Sequence, residues 1–283
     1  MFETFATSRY GKIAVLDSGG SGLPLLMLHG AGASKGVFFR QFGSLTAQKH
    51  RVVSIDLLGH GRSDRAVEPE QAYTLEGFAT GVIDVLNFMG IERIAIFGWS
   101  LGGHIAIELL RDHPDRLAGI MLTGTPIAAR GPLGMLRAFH LRKEMLFSSK
   151  PTYTASETER FARLCYAEGV TPGLIDDIAR SDGRCRPVIA RSLLSGADQQ
   201  AVVTSSPLPI AVVNGALEPI ARLSHLEGLH YRQLWRGKCH TIAAAGHAPF
   251  LRKPGAFNLL LNSFVRDAAV VGHDVSVQQR ASA

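Results

Sequence analysis

The sequence predicts an α/β fold whose core is a mostly parallel, doubly wound sheet with helices on both faces. One observation is that short apolar runs rich in β-branched residues, such as 52–55 and 93–97, alternate with longer amphipathic segments. The other is that this alternation stops after Thr125-Pro126 and resumes at 207–213. Together they predict one core interrupted by one insertion that contains no strand of the sheet.

The predicted elements of the core follow in simple order. The predicted strands are 5–8 and 12–17, which form an opening hairpin, and then 23–28, 52–55, 93–97, 117–123 and 207–213. The predicted helices are 74–89, a helix that follows residue 100 and stops near His113-Pro114, and 254–264. The helix at 74–89 is predicted because its apolar residues recur at helical spacing along one face.

The insertion, residues 131–206, is predicted to be a helical cap. Ser156-Glu-Thr-Glu159 matches a capping box, and Thr171-Pro172 is a typical start of a further helix. Its apolar residues either line a pocket or hold the cap to the core: Met135, Leu136, Phe139, Met145, Leu146, Phe147 and Phe161. The predicted division is a core of residues 1–130 and 207–272, the cap at 131–206, and a frayed polar tail at 273–283.

Composition excludes several classes of protein. The chain has 283 residues, 46% hydrophobic and 19% charged, which is typical of a globular protein with a sizeable core. The net charge of +6 comes from scattered Lys and Arg residues, which favours a solvated basic surface and no nucleic-acid partner. Three widely spaced cysteines suit a reducing compartment. With neither an apolar leader nor a run of about 18 apolar residues, we expect a cytoplasmic protein without a membrane partner.

A strand-to-helix turn at Gly98-Trp99-Ser100-Leu101-Gly102 is the centre of the functional prediction. The pattern Gly-x-Ser-x-Gly between a buried strand and a helix is typical of a nucleophile elbow. The glycines permit a turn too tight for side chains, which pushes the Ser100 hydroxyl out of the sheet edge. Because Ser100 also stands at a helix N-terminus, free N–H groups and the helix dipole favour a developing negative charge there. Ser100 is therefore a candidate nucleophile.

A serine nucleophile needs a base, and the base needs an acid that orients it. In α/β-hydrolases these residues follow the serine in the order acid, then histidine, each on a loop after a later strand. Glu218 follows the strand at 207–213, and His247 follows later, in a loop before the last helix. The sequence therefore predicts a catalytic triad of Ser100, His247 and Glu218.

The predicted oxyanion hole consists of the Leu101 N–H and the N–H of Ala31, in the loop after the strand at 23–28. Three other polar residues near the site are interpreted as structural. Asp56 is expected to cap the turn that follows it, and His60 and His104 are expected to flank the site without taking part in the chemistry.

Metal and nucleotide cofactors are not predicted. The chain has 11 histidines but no H-x-H, no H-E-x-x-H and no paired cysteine spacing, so we expect no metal ligands. No G-x-G-x-x-G follows a strand in the N-terminal half, so nucleotide binding has no support. A serine at the elbow also argues against the branch of this fold that uses an aspartate nucleophile, which includes epoxide hydrolases and dehalogenases.

Four motifs carry a family resemblance: LMLHG, DLLGHGRS, FGWSLGGHIAIE and AGHAPF. They resemble those of the α/β-hydrolase fold family over nearly the whole chain, which implies that fold with a helical cap. FGWSLGGHI, LTGTP with Arg130, SDGRCR at 181–186, and LPIAVVNGALEP with AGHAPF are more specifically similar to metal-independent N-acyl-homoserine lactonases. That resemblance implies a glutamate as triad acid, a bacterial quorum-sensing signal as substrate, and quorum quenching as function.

Two positions depart from the lactonase pattern. Ala31 stands where that family has an Asn after His-Gly, and Phe161 stands at the position matched to its cap tyrosine. Ala31 still supplies a backbone N–H, and Tyr166 is a candidate to replace the missing hydroxyl. The residues expected to contact substrate are Phe161, Tyr166, Trp99 and Met145.

Three functions remain open at this point. The first is a serine hydrolase that opens the ring of N-acyl-homoserine lactones. The second is a general carboxylesterase, which shares every catalytic residue and differs only in substrate. The third is a ligand-binding protein built on a hydrolase scaffold. In each case the expected partner is a small acyl lactone or ester, and the sequence does not indicate an oligomeric state.

Overall fold

The computed structural model describes residues 1–44 and 50–281, except for the side chains of Met145, Leu146, Glu168 and residues 271–281. Within these residues the core is a sheet of eight strands in the order β1-β2-β4-β3-β5-β6-β7-β8. The strands are β1 Phe2–Ser8, β2 Gly11–Asp17, β3 Leu25–Leu28, β4 Val52–Ile55, β5 Ile94–Trp99, β6 Leu117–Thr123, β7 Ile210–Gly215 and β8 His240–Ile242.

The pairing of the strands confirms a mostly parallel sheet. β1 and β2 form an antiparallel hairpin, β2 pairs antiparallel with β4, and each pairing from β4 through β3, β5, β6, β7 and β8 is parallel. In the centre, Leu28 pairs with Gly98, which brings the carboxyl ends of β3 and β5 to the same edge. The strand β8 escapes sequence prediction because it has only three residues, His-Thr-Ile, and no apolar run.

Helices cover the two faces of the sheet and form the cap. Their bounds are α1 Phe39–Phe42, α2 Pro69–Ala72, α3 Leu75–Phe88, α4 Leu101–Asp112, α5 Pro132–Ala138, α6 Ala155–Tyr166, α7 Pro172–Arg180, α8 Cys185–Ser195, α9 Gln199–Ser205, α10 Leu223–Glu227, α11 Pro249–Arg252 and α12 Pro254–Ala281. Short 3₁₀ turns lie at Lys35–Phe38, Pro114–Arg116, Lys143–Leu146, Ala167–Gly169 and Trp235–Gly237.

The alternation of side chains along each strand divides the core into two hydrophobic clusters. Leu26 and Leu28 of β3 belong to the cluster that contains α3 and α4. Leu25 and Met27 belong to the cluster that contains α12. Successive residues of a strand point to opposite faces, so a strand covered on both sides reads as a continuous apolar run. The burial of these strands on both faces explains why each of them could be predicted from a continuous apolar run.

The last helix, α12, is longer than predicted. It runs from Pro254 to Ala281, although the sequence places its end near Phe264. Val265 and Ala268 are buried, so packing against the core continues past the predicted end. The backbone of residues 273–281, which we expected to be part of a frayed tail, is also helical. Among the described residues, no helix combines the length and apolar character needed to cross a membrane.

Residues 131–206 contain the helices α5 to α9 and no strand of the sheet. The capping box of α6 lies two residues before the predicted one. Thr154 Oγ1 accepts a hydrogen bond from the Glu157 N–H, and Glu157 Oε2 accepts one from the Thr154 N–H. Both registers fit the motif, and the helix uses the earlier one. The division of the chain into core and cap at residues 131 and 206 remains a prediction.

Candidate active site

The backbone at Ser100 is strained in the way an elbow requires. Its φ is 53° and its ψ is −116°, a conformation rare for a residue with a side chain, and it is the N-cap of α4. A Cβ on Gly98 would lie 2.5 Å from the Gly102 carbonyl oxygen, and a Cβ on Gly102 would collide with the Leu28 carbonyl. Both positions therefore admit only glycine. The Ser100 N–H donates a 2.8 Å hydrogen bond to the Thr123 carbonyl, which ties the turn to β6.

His247 and Glu218 form a fully buried pair. The Nδ1 of His247 lies 2.8 Å and 2.9 Å from the two carboxylate oxygens of Glu218. Glu218 Oε1 also accepts hydrogen bonds from the backbone N–H groups of Ile220 and Ala221, at 2.7 Å and 3.2 Å. Burial alone would raise the pKa of Glu218, but the attraction of His247 and these hydrogen bonds outweigh it and lower that pKa.

This pairing sets the tautomer of His247. An ionised carboxylate can only accept hydrogen bonds, so Nδ1 of His247 carries the proton and Nε2 presents a lone pair. The Nε2 atom is buried, and it has no hydrogen-bond partner among the described residues. An imidazole oriented in this way is ready to accept a proton at Nε2.

Two neighbours hold the His247 ring in place. The indole Nε1–H of Trp99 donates a 2.8 Å hydrogen bond to the backbone carbonyl of His247. Gly124, at φ +59°, lies so close that a Cβ there would be 2.6 Å from the imidazole. The imidazole is thus fixed by β5 on one side and by the loop after β6 on the other.

Ser100 and His247 line one cavity of about 110 Å³ together with four further predicted site residues, Ala31, Leu101, Trp99 and Phe161. Most of the other lining is apolar and includes Pro126, Phe139, Cys165, Ile189, Leu193 and Ile220. Glu218 lies behind His247 and is 6% exposed. The structure therefore gathers these sequence-predicted residues at the carboxyl edge of the parallel strands, where open α/β sheets bind ligands.

One of the predicted substrate contacts, Tyr166, lies outside this cavity, although the sequence suggested it as a replacement hydroxyl. The cavity face of α6 carries Phe161 and Cys165, one turn apart, and Tyr166 lies about 100° further round the helix. Its ring packs on Trp99 at 5.6 Å and borders a second cavity. The side chain of Met145 lies outside the described part of the chain.

Tyr153 and Arg186 line the cavity and were not predicted. The guanidinium of Arg186 lies 3.8 Å from the centre of the Tyr153 ring, a cation–π contact. The Tyr153 hydroxyl donates to the Ser148 carbonyl at 3.2 Å, and burial raises its pKa to about 12. Burial lowers the pKa of Arg186. The sequence contains one indication of Arg186: it is the last residue of the SDGRCR motif, which is among the motifs similar to those of N-acyl-homoserine lactonases.

Of the three polar residues interpreted as structural, Asp56 and His60 lie away from the cavity. Asp56 accepts a hydrogen bond from the Arg62 N–H at 2.9 Å and pairs with the buried Lys35 ammonium at 2.7 Å, so it caps its turn as expected. His60 Nδ1 lies 3.0 Å from the Leu58 carbonyl, and burial lowers its pKa to about 3. His104, in contrast, lines the cavity. Among the described side chains, no three His, Cys, Asp or Glu residues gather as a metal site.

Comparisons with known proteins agree with this geometry. Residues 24–254 match the family model described as the alpha/beta hydrolase fold. A solved structure of the N-acyl homoserine lactonase AidH, complexed with N-hexanoyl homoserine lactone, is 37% identical with a TM-score of 0.91. That match covers 95% of this chain and 98% of that one.

Two curated relatives are more distant. A pimeloyl-[acyl-carrier protein] methyl ester esterase of Neisseria meningitidis is 28% identical over 84% of this chain and 92% of its own length. An uncharacterised protein of Mycobacterium tuberculosis is 36% identical over 103 residues, and the match spans only 29% of that protein. The extent of the family match, together with the elbow and the parallel sheet, shows that the chain belongs to the α/β hydrolase fold family.

Proposed function

We propose that this protein is a serine hydrolase that opens the lactone ring of N-acyl-homoserine lactones, and that its function is quorum quenching. The observation that carries the proposal is the buried His247–Glu218 pair, whose unpartnered Nε2 shares one cavity with Ser100. The resemblance to AidH over nearly the full chain supports the choice of substrate. The cytoplasmic location inferred from the cysteine spacing is part of the same proposal.

The reaction proceeds in two stages, acylation of Ser100 and hydrolysis of the acyl-enzyme. In the first, His247 Nε2 takes the Ser100 hydroxyl proton as Oγ attacks the lactone carbonyl carbon. The tetrahedral intermediate collapses, the ring C–O bond breaks, and His247 returns the proton to the leaving oxygen. In the second, His247 removes a proton from water as the water oxygen attacks the acyl carbonyl carbon; the C–O bond to Ser100 then breaks, and His247 returns the proton to Ser100 Oγ. One water molecule is consumed, and the product is an N-acyl homoserine carboxylate with one released proton.

Negative charge on the carbonyl oxygen is stabilised by the backbone N–H groups of Leu101 and Ala31 in this mechanism. Leu101 is the first residue of α4, where the N–H groups have no partner within the helix. Each such donor contributes about 3–4 kcal/mol to stabilisation of the transition state. Because the donor at residue 31 is a backbone group, alanine serves as well there as a residue with a polar side chain.

Two solved complexes of AidH variants, one with a lactone and one with the ring-opened compound, support the choice of a ring-opening reaction. One is a serine-to-glycine variant complexed with N-hexanoyl homoserine lactone, and another is a glutamate-to-glycine variant complexed with N-hexanoyl homoserine. We assign the roles of nucleophile and orienting acid to Ser100 and Glu218 on the strength of the elbow and the His247 contact.

A general carboxylesterase is the second candidate. The mostly apolar lining of the cavity suits a plain acyl chain, and the similarity to the Neisseria esterase points in the same direction. The two candidates share Ser100, His247 and Glu218, so substitutions in the triad cannot separate them. Only a comparison of substrates does so.

The deciding experiment measures acid release from N-acyl-homoserine lactones of several chain lengths beside p-nitrophenyl esters, with and without EDTA. Lactone turnover that survives EDTA supports the proposed lactonase. Rapid ester hydrolysis without lactone turnover supports the carboxylesterase and contradicts our first choice. Lactone binding without turnover of either class contradicts both and indicates a binding protein on a hydrolase scaffold.

A further inference from the structure

His104 is a polar residue of the cavity to which the proposed mechanism gives no role. It lies in the first turns of α4, after Ser100, and is only 3% exposed. Its ring lines the same cavity as Ser100 and His247, nearly parallel to the ring of Phe139 at 6.4 Å. The position of its proton determines what it offers to a ligand.

Gln199 of the helix α9 sets that position. The Gln199 Nε2 donates to the Glu108 carboxylate at 3.0 Å and to the His104 carbonyl at 3.3 Å. A backbone carbonyl can only accept, so the amide nitrogen must face these groups and the amide oxygen must face the imidazole. That oxygen lies 2.6 Å from His104 Nδ1. Nδ1 therefore carries a hydrogen, and Nε2 is left as the acceptor.

Among the residues that the structure describes, His104 makes its side-chain hydrogen bond through Nδ1, and Nε2 is not one of the fully buried polar atoms that lack a partner. Burial lowers the pKa of His104 to about 4, so the ring is neutral near pH 7 and Nε2 keeps its lone pair. Because the cavity lining is mostly apolar, a ligand that displaces water from this acceptor leaves it unpaired unless the ligand supplies a donor, which is unfavourable. The site is therefore matched to a substrate that carries an N–H or O–H group.

We infer that His104 Nε2 accepts a hydrogen bond from the secondary amide N–H of the substrate and selects lactones that carry this amide. The inference rests on the proposed lactonase function. In an N-acyl-homoserine lactone with an unsubstituted acyl chain, the lactone oxygens and the amide carbonyl are all acceptors, and the amide N–H is the only donor. Simple esters and plain lactones have no donor at all. His104 is thus a specificity-determining residue, distinct from the triad.

The test compares two lactones that differ in one non-hydrogen atom: N-hexanoyl-homoserine lactone and its oxygen analogue, α-hexanoyloxy-γ-butyrolactone. Ring opening is measured as the hydroxy-acid product by NMR, because the analogue also contains an exocyclic ester whose hydrolysis would release acid. For the native enzyme we expect kcat/KM to favour the amide by about 10- to 100-fold, since the analogue leaves the acceptor unpaired. The variant His104→Phe keeps an aromatic ring and removes the acceptor, so this ratio should fall to within about threefold of one. A loss of folded protein lowers both rates by the same factor, so the ratio reports only on the variant molecules that remain folded.

Two results of this comparison would overturn the inference. One is a native enzyme that opens both lactones equally well, and the other is a His104→Phe variant that keeps the native ratio. A native enzyme that opens neither lactone contradicts the proposed function itself, which separates the two failures.

A second measurement needs no change at His104. In Ser100→Ala protein, the amide lactone should shift the ¹⁵N resonance of His104 Nε2 on binding, and the oxygen analogue should leave it unchanged. Equal shifts with both ligands would count against the inference.

Discussion

The indole N–H of Trp99 donates a hydrogen bond of 2.8 Å to the backbone carbonyl of His247, so the residue before the candidate nucleophile holds the loop of the candidate base. Trp99 is 1% exposed, and its ring lies 5.5 Å from the imidazole. The strand β5 thereby supports both members of the candidate proton-transfer pair, Ser100 and His247. Misplacement of a base by about 1 Å can cost about 100-fold in rate, so this contact bears directly on catalysis.

The variant Trp99→Phe keeps an aromatic ring and removes the donor. We expect kcat to fall by about 10- to 100-fold with a much smaller change in KM, because the loop is less well positioned while the cavity wall remains. The matched control is Trp235→Phe. Trp235 is also buried, and its Nε1 donates to Asp267 at 2.9 Å, but it does not line the cavity. Equal losses of kcat in the two variants would contradict the positioning role.

Gly124→Ala tests the close approach of backbone to the imidazole. The new Cβ would lie 2.6 Å from the His247 ring, so the ring must move, and we expect turnover to fall by about 100-fold. Gly131→Ala is the control, because Gly131 also has a positive φ, +92°, but no atom lies within 4 Å of a Cβ there. Both substitutions place an L residue at a positive φ and strain the backbone by about 1–3 kcal/mol. Kinetic measurements should show a loss only for Gly124→Ala, and native turnover in that variant would refute the argument.

The carboxylate of Asp182, which lies just after α7, is expected to make the free energy of unfolding depend on pH. Burial opposes ionisation of its carboxylate, but the hydrogen bonds from Arg184 and from the Tyr73 hydroxyl, at 2.7 Å, outweigh it and lower its pKa to about 2. A lowered pKa stabilises the folded state above the unfolded value of 3.8, and this contribution is lost as the pH falls toward 2.

We therefore expect Asp182→Asn to be less stable than the native protein at pH 7, by on the order of 1 kcal/mol after allowance for solvent screening. About half of that gap should disappear by pH 3. Urea unfolding across this range measures it, with Asp176→Asn as the control because the side chain of Asp176 is 64% exposed. A gap that stays constant from pH 7 to pH 3 would show that the carboxylate charge is not responsible.

The positions of Ser100, Glu218 and His247 could be predicted because each lies in a turn whose chemistry is local. A tight elbow needs its glycines, and the carboxyl ends of parallel strands meet at one edge. The strands of the centre were predictable for a similar reason, since burial on both faces produces continuous apolar runs.

The remainder of the cavity depends on relationships that no local pattern contains. The rotational phase of α6 decides between Cys165 and Tyr166, and a shift in the start of the helix changes which face carries which residue. The contact of Arg186 with Tyr153 joins segments that are separate in the chain. The role that we propose for His104 could not be predicted, because only the folded chain places Gln199 beside it and fixes its proton. The tertiary arrangement of the helices supplies each of these facts.

Acid release from N-hexanoyl-homoserine lactone by the native protein and by Ser100→Ala tests whether Ser100 attacks the lactone carbonyl. We expect the native protein to release acid in the presence of EDTA, and the variant, still folded, to lose at least about 10³-fold in kcat. A Ser100→Ala variant that retains lactone turnover within about tenfold of the native rate would show that Ser100 is not the nucleophile.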